Sequence, residues 1–285
     1  MKIAVTGATG QLGHLVIQAL SQQTAPENII ALVRDTKKAQ HFVEQGIDVR
    51  FFDYSQSESL RPALDGVDRL LLISGSEVGQ RVPQHQAVID AAVQASVPYI
   101  AYTSLLHADT NPLSLAAEHK ATEALIQDSG LAYALLRNNW YIENYLGSLA
   151  HTVAEGKLYG AAETSKISAA SRQDYAQAAA NVLIKAPSGN PVYELAGSPA
   201  FTLAELASTI GQVYNTPVEY INLTATEYSQ ALVAAGLPQG LVNVIVDADI
   251  QATQGAMYSE SNDLATLLGH ETTSLQHLIE QQKTA

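Results

Sequence analysis

The sequence predicts an α/β protein: a doubly wound, parallel sheet followed by a smaller helix-rich C-terminal lobe. Three observations predict it. Short apolar runs alternate with helix-like stretches through the first half of the 285 residues. Those runs are apolar on both faces, as strands covered by helices on two sides must be. The first run ends in "TGATGQLG", three glycines at three-residue intervals between a strand and a helix.

The elements follow in order. Strands are expected at 2–6, 29–33, 49–52, 70–74, 99–103 and 132–136. Helical patterns lie between them at 12–20, 38–44, 59–64, 84–95 and 116–128. Right-handed crossovers then place helices on both faces of one sheet. Beyond about Tyr145 the alternation loosens. A helix is expected at 173–184, a strand at 192–195, helices at 203–213, 227–235 and 275–281, and a strand near 218–223. No Pro/Gly/Ser-rich linker divides the halves.

Composition narrows the function. The chain is 47% hydrophobic, yet no apolar run is long enough to span a bilayer. Met1 leads straight into a strand-like run, so no signal peptide is expected and a cytoplasmic location fits. With no cysteine, disulfides, thiolate metal sites and cysteine nucleophiles are excluded. The net charge of −13 argues against nucleic acid or an anionic membrane as partner. The eight histidines are scattered without metal-ligand spacing, so no metal is expected. A homodimer is compatible with the acidic surface and the helix-rich lobe.

In a strand–turn–helix start, Gly7 permits the tight turn and Gly10 lets the backbone approach a pyrophosphate. Gly13 lets the helix pack closely. The helix start offers free N–H groups and a positive dipole end to the phosphates. The chain thus reads as a Rossmann-type dinucleotide-binding domain over 1–145, its sheet completed by later segments, and a substrate lobe over 146–285.

The Gly-x-x-Gly-x-x-Gly spacing resembles the atypical short-chain dehydrogenase/reductase group with NmrA-like folds. "LLLISGSEVGQRVPQH", "YIAYTSLLHADT" and "LLRNNWYIENYL" resemble its bacterial NAD(P)H:quinone oxidoreductase branch, with triphenylmethane reductases more distant. The resemblance runs along nearly the whole chain. It implies NADPH as cofactor, with contacts at Thr6, Gly7, Ala8, Thr9, Gly10, Gln11, Leu12 and Gly13, at Arg34, and at Ser74, Gly75 and Ser76. It also implies the loop Asn138, Asn139, Trp140, Tyr141, Ile142 and Glu143.

The residues themselves support NADPH over NADH, which is expected to bind more weakly. Arg34 stands at the end of the second strand, where an acid would favour NAD and an arginine holds a 2′-phosphate. Asp35 follows it, and a small shift of the turn would exchange the two. Asp53 ends the third strand and either accepts from an adenine amino group or has a helix-capping or surface role. Thr103 ends the fifth strand, at the same edge.

Ordinary short-chain reductases use a tyrosine, a lysine four residues later, and a serine at the fifth strand's end. Ser104 is in the serine position. The resemblance, registered on Glu123, puts His119 at the lysine position and Leu115 at the tyrosine position. Lys120 is one residue off, about 100° around the helix. The usual acid is therefore missing. A ketone accepting hydride becomes a strongly basic alkoxide and needs a donor. A quinone becomes a phenolate-like anion with a conjugate acid near that of tyrosine, about 10, and takes its proton from water.

His119 either holds the nicotinamide ribose or relays a proton, its charge changing near neutral pH. Asn138 is a second catalytic candidate. Trp140 and Tyr141 offer faces for a flat quinone, the tryptophan being equally suited to plugging the two lobes together. His107 is a further substrate-side candidate. Direct hydride transfer needs no flavin. Three functions stand open: a quinone reductase, a reductase of other conjugated electrophiles such as dyes, and an NADP(H)-binding regulator without turnover.

Overall fold

A computed structural model describes residues 1–284. The first half alternates strand and helix: β1 (Ile3–Val5), α1 (Gln11–Ser21), β2 (Ile29–Val33), α2 (Gln40–Glu44), β3 (Asp48–Phe51), α3 (Ser57–Ala63), β4 (Arg69–Leu72), α4 (Arg81–Gln94), β5 (Tyr99–Leu105), α5 (Ala116–Asp128) and β6 (Ala132–Asn138). The second half comprises α6 (Glu143–Leu146), α7 (Leu149–Glu155), β7 (Lys157–Gly160), α8 (Arg172–Lys185), β8 (Val192–Leu195), α9 (Leu203–Tyr214), β9 (Glu219–Asn222), α10 (Ala225–Ala234), α11 (Gln239–Ala252), α12 (Asp263–Leu268) and α13 (Leu275–Thr284).

Seven strands form one parallel sheet in the order β3-β2-β1-β4-β5-β6-β8. Side chains alternate between its faces, and each face has its own core. Val5, Val33, Leu71 and Leu136 pack with α1, α8 and α12. Ala4, Leu32, Leu72 and Leu135 pack with α3, α4 and α5. All strands being parallel, their carboxyl ends share one edge, where ligands of such sheets bind.

A third core lies in the C-terminal lobe, around Leu158, Phe201, Leu206, Ile210, Ala248 and Met257. There β7 pairs with β9 as a separate two-stranded sheet. Both α8 and β8 belong to the main sheet instead: α8 packs beside α1 and covers β4, β5 and β6, and β8 extends the sheet beyond β6.

The sequence pattern carries β4 two residues past its end and starts α4 three residues late, because the glycine-containing segment 73–80 is irregular. It misses β7, α6, α7, α11 and α12. In α11 the run "LVNVIV" is β-branched and looks as much like a strand as a helix.

Candidate active site

The glycine turn is built by backbone contacts. Gly7 has φ +57°, a left-handed conformation that favours glycine. The Gly10 N–H donates to the Gly7 carbonyl at 2.8 Å. A Cβ on Gly13 would sit 2.2 Å from that carbonyl oxygen and 2.9 Å from Ala8 Cα, so the first turn of α1 lies directly on the loop. A Cβ on Gly10 would meet only the Gly7 oxygen, at 3.1 Å.

Gly7, Thr9, Gly10 and Gln11 form an exposed rim, while Ala8 and Leu12 turn into the core. α1 has no side-chain cap and no acidic residue in its first turn. Its leading N–H groups have no intrahelical partner. The cradle therefore suits a pyrophosphate in shape and in sign.

Thr6 braces the adjacent strand ends. Its Oγ1 accepts from the Ile73 N–H at 2.9 Å and lies 2.6 Å from the buried Tyr54 hydroxyl. Thr103 does likewise, its Oγ1 accepting from the Ser74 N–H at 2.9 Å.

The segment after β4 is pinned by a buried network that sequence reasoning missed. His85 Nε2 accepts from the Gly75 N–H at 3.0 Å. That leaves the proton on Nδ1, which lies 3.0 Å from Thr122 Oγ1. Burial, helped by the Arg81 charge, pushes the His85 pKa down to about 3 and keeps the ring neutral. Arg81 Nε donates to the Gly75 carbonyl at 2.9 Å, and its guanidinium pairs with Glu118 at 2.8 Å. Glu118 also accepts from the Gly79 N–H at 2.8 Å. Ser74, Gly75 and Ser76 are thus held rigidly at the strand edge.

Arg34 emerges from β2 two-thirds exposed and pairs with Glu77 at 3.1 Å. Asp35 is not its rival at this position. The Asp35 carboxylate accepts from the Lys37 N–H at 3.0 Å and caps the turn Thr36–Ala39. The Asp53 carboxylate accepts from the Ser55 N–H and hydroxyl and from Gln56 Nε2 in the turn ahead of α3, and it does not cap that helix. Burial opposes its ionisation, but these bonds together with the Arg34 charge hold its pKa below the ordinary value.

On the α5 side, Ser104 Oγ donates to Glu123 at 2.5 Å, and Glu123 forms a fork with Arg137 at 2.9 and 2.7 Å. Arg137 also reaches Glu194 at 2.7 Å and Asp109 at 3.1 Å. His107 closes this group, its N–H donating to Glu194 at 2.8 Å. The serine position and His107 are thus tied into one structural ion network. Lys120 is exposed and bonds the Asp109 carbonyl.

The expectation that His119 changes charge near neutrality is corrected. His119 is buried, with Nδ1 2.8 Å from the Tyr102 hydroxyl. Desolvation, then Arg81 and His85, push its pKa down to about 3. The Tyr102 hydroxyl also bonds Thr122, so either His119 tautomer satisfies this pair, and Nε2 is the ring nitrogen turned away from Tyr102. His119 is a neutral imidazole rather than an acid.

The loop after β6 divides its residues between the cores. Tyr141 packs against the main-sheet core, edge-on to Tyr175 at 5.5 Å and covered by the Arg172 guanidinium at 4.5 Å. The Arg172 guanidinium thus occupies one face of that half-buried ring. Trp140 packs, half-buried, against the lobe core. Asn139 clamps the lobe through bonds to the Ser168 and Met257 carbonyls, both 2.9 Å. The Ile142 side chain is core, and Glu143 receives the Arg172 N–H at the start of α8, 2.8 Å away. Within this loop, Asn139, Ile142 and Glu143 are structural rather than cofactor-facing through their side chains.

Asn138 is different. It is 5% exposed, ends β6 beside Leu105 of β5, and its Oδ1 has no hydrogen-bond partner. Buried amide oxygens normally have one. At the carboxyl edge of the sheet, this oxygen fits the carboxamide N–H₂ of a nicotinamide.

Three comparisons bear on this geometry. The NmrA-like family model matches residues 1–277. Quinone oxidoreductase 2 of Escherichia coli is 50% identical over 273 residues, 96% of each chain. The crystal structure of the E. coli NADPH-dependent quinone oxidoreductase complexed with NADPH superposes with TM-score 0.95, at 49% identity over 99% of both chains. The Citrobacter sp. triphenylmethane reductase complexed with NADP(H) gives TM-score 0.95 at 35% identity, covering 98% of this chain and 99% of that one.

Proposed function

We propose that this chain, which belongs to the NmrA-like family, is an NADPH-dependent quinone oxidoreductase that transfers hydride directly to a quinone. The observation that carries this reading is a cofactor cradle without an acid. The glycine rim and the uncapped α1 start suit a dinucleotide. Yet Leu115 stands at the tyrosine position, Ser104 is bonded to Glu123, and His119 is held neutral. A hydride acceptor whose anion is only weakly basic suits such a site; an unconjugated ketone does not. The relatives' names agree with this reading.

When bound, NADPH supplies the hydride. Gly7 to Gly13 and the α1 N-terminus hold the pyrophosphate, and Arg34 faces the 2′-phosphate. Ser74, Gly75 and Ser76, pinned by His85 and Arg81, form a rigid wall beside the nicotinamide ribose. The neutral His119 suits a hydrogen bond between Nε2 and a ribose hydroxyl, the ribose-holding role of its two alternatives. Asn138 Oδ1 accepts from the carboxamide and fixes the ring's orientation. The reduced quinone leaves as a phenolate-like anion and takes its proton from water.

A second reading, reduction of cationic triphenylmethane dyes, is favoured by the likeness to the Citrobacter enzyme. One assay separates the two: loss of nicotinamide absorbance with the purified protein, NADPH, and a panel of quinones and dyes. Turnover of quinones with negligible turnover of dyes supports the first reading.

A further inference from the structure

We infer that Glu77 is a specificity-determining residue: its carboxylate competes with the cofactor 2′-phosphate for Arg34 and narrows the preference for NADPH over NADH. The inference rests on the proposed reading that Arg34 meets the 2′-phosphate.

Strands β2 and β4 lie on either side of β1 in the sheet. Arg34 follows β2, and Glu77 stands on the segment after β4. Strands two places apart are about 10 Å from each other. For these side chains to meet at 3.1 Å, their ion pair must pass over the carboxyl end of β1, the strand that leads into the glycine turn. A dinucleotide on that turn with its 2′-phosphate at Arg34 therefore meets Glu77 as well.

Glu77 does not move aside freely. Its second carboxylate oxygen accepts from Gln84 Nε2 at 2.8 Å. Its segment is anchored on both flanks, at Gly75 by His85 and Arg81 and at Gly79 by Glu118. Once Arg34 turns to a phosphate, Glu77 stays beside it as a like charge. The charges around Arg34 are otherwise balanced: Lys37 and Lys38 lie within four residues, and Asp35 and Asp53 oppose them. Glu77 tips the group toward rejecting a dianion.

The size of the effect follows from exposure. Arg34 and Glu77 side chains are 67% and 51% exposed, so water screens the pair and it is easily exchanged. A phosphate offers more charge and a two-point fit to the guanidinium, so it still displaces the carboxylate. NADH carries no such group, leaves the Arg34–Glu77 pair intact, and is indifferent to Glu77.

The test is equilibrium binding of NADPH and of NADH, read by nicotinamide fluorescence, to wild type, Glu77→Gln, Arg34→Ala and the double variant. Titrations are run at about 20 mM and about 300 mM salt, either side of the regime where surface charges are screened. Glu77→Gln is expected to tighten NADPH by about threefold or more at low salt and by less than about twofold at high salt. NADH should change by less than about twofold, and Glu77→Gln should have no effect in the Arg34→Ala background. Unchanged or weaker NADPH binding in Glu77→Gln overturns the inference, as does equal tightening of both cofactors. If Arg34→Ala weakens NADPH and NADH equally, the 2′-phosphate reading itself fails, a result distinct from failure of the Glu77 inference alone.

Discussion

Ser104 donates its hydroxyl proton to Glu123 across 2.5 Å, and both side chains are buried. Glu123 is in turn forked by Arg137. The serine at the fifth strand's end, a catalytic position in ordinary short-chain reductases, is here one spoke of a structural ion network. Ser104→Ala is therefore expected to keep kcat for quinone reduction within about threefold, while losing about 1–2 kcal/mol of stability with the hydrogen bond. Glu123→Gln, which weakens the Arg137 fork but leaves Glu194 and Asp109 paired with it, should cost about 1–3 kcal/mol. Urea denaturation and steady-state NADPH oxidation on the same preparations check both. A large loss of kcat in a fully stable Ser104→Ala protein would return the serine to the chemistry.

His85 and His119 make stability depend on pH. Each is near 3 when folded against an ordinary 6.5, so between those values the unfolded chain binds more protons. Their contribution is complete above about pH 6.5 and is lost as pH falls toward 3. Asp249, raised by burial from 3.8 to about 6, acts in the opposite sense, favouring the fold as pH falls through 6. Two groups outweigh one, and unfolding free energy should fall by on the order of 1 kcal/mol per pH unit between about pH 6 and 4. His85→Gln should flatten that limb and Asp249→Asn should steepen it. Denaturant melts across the range decide; parallel slopes in all three proteins would contradict the assignment.

The glycines separate structure from ligand. A methyl on Gly13 meets backbone atoms at 2.2 to 2.9 Å, with no flexible side chain to yield. Gly13→Ala should cost about 3 kcal/mol or more with or without cofactor. Gly10 has φ −78°, open to any residue, and its added Cβ meets one atom at 3.1 Å. Gly10→Ala should melt close to wild type yet bind NADPH at least about tenfold more weakly. Thermal melts with and without NADPH test both, and unchanged NADPH affinity in Gly10→Ala would misplace the pyrophosphate.

Asn138 carries a buried oxygen without a partner. Leaving such a group unpaired costs about 1–3 kcal/mol. Asn138→Leu, similar in volume, removes that orphan oxygen but also the amide's bond to the Tyr141 hydroxyl, so stability should change by less than about 1 kcal/mol while NADPH binds about tenfold more weakly. Lost stability with unchanged binding would make Asn138 structural.

The strand and helix order was legible because a parallel sheet demands continuous apolar runs, and 29–33 or 99–103 offer no competing pattern. The lobe was not, since β7 is four residues long and α11 is β-branched. Within the site, Gly7 and Gly10 could be placed because they lie in the turn that joins β1 to α1, and Arg34 because it follows β2 directly. The His85–Gly75 and Arg81–Glu118 contacts could not, since they join segments that only the fold brings together. Trp140 and Tyr141 show the same limit. Tyr141 bridges Ala170 in extended conformation, so its neighbour Trp140 points the opposite way, into the other core. Which of the two would face the cleft depended on a partner strand invisible in the local pattern.

The central claim is hydride transfer from NADPH to a quinone in a site without flavin, metal or a tyrosine acid. Its most direct test is a single turnover: flavin-free, chelator-treated protein is loaded with NADPH and mixed with quinone, while nicotinamide absorbance is followed. The run is repeated with NADPH deuterated at the transferred position and with an unconjugated ketone as acceptor. The expected result is quinone-dependent NADPH oxidation that slows with deuterium, alongside negligible reaction with the ketone. Tight NADPH binding with no oxidation by any quinone would contradict the claim and leave a cofactor-sensing protein in its place.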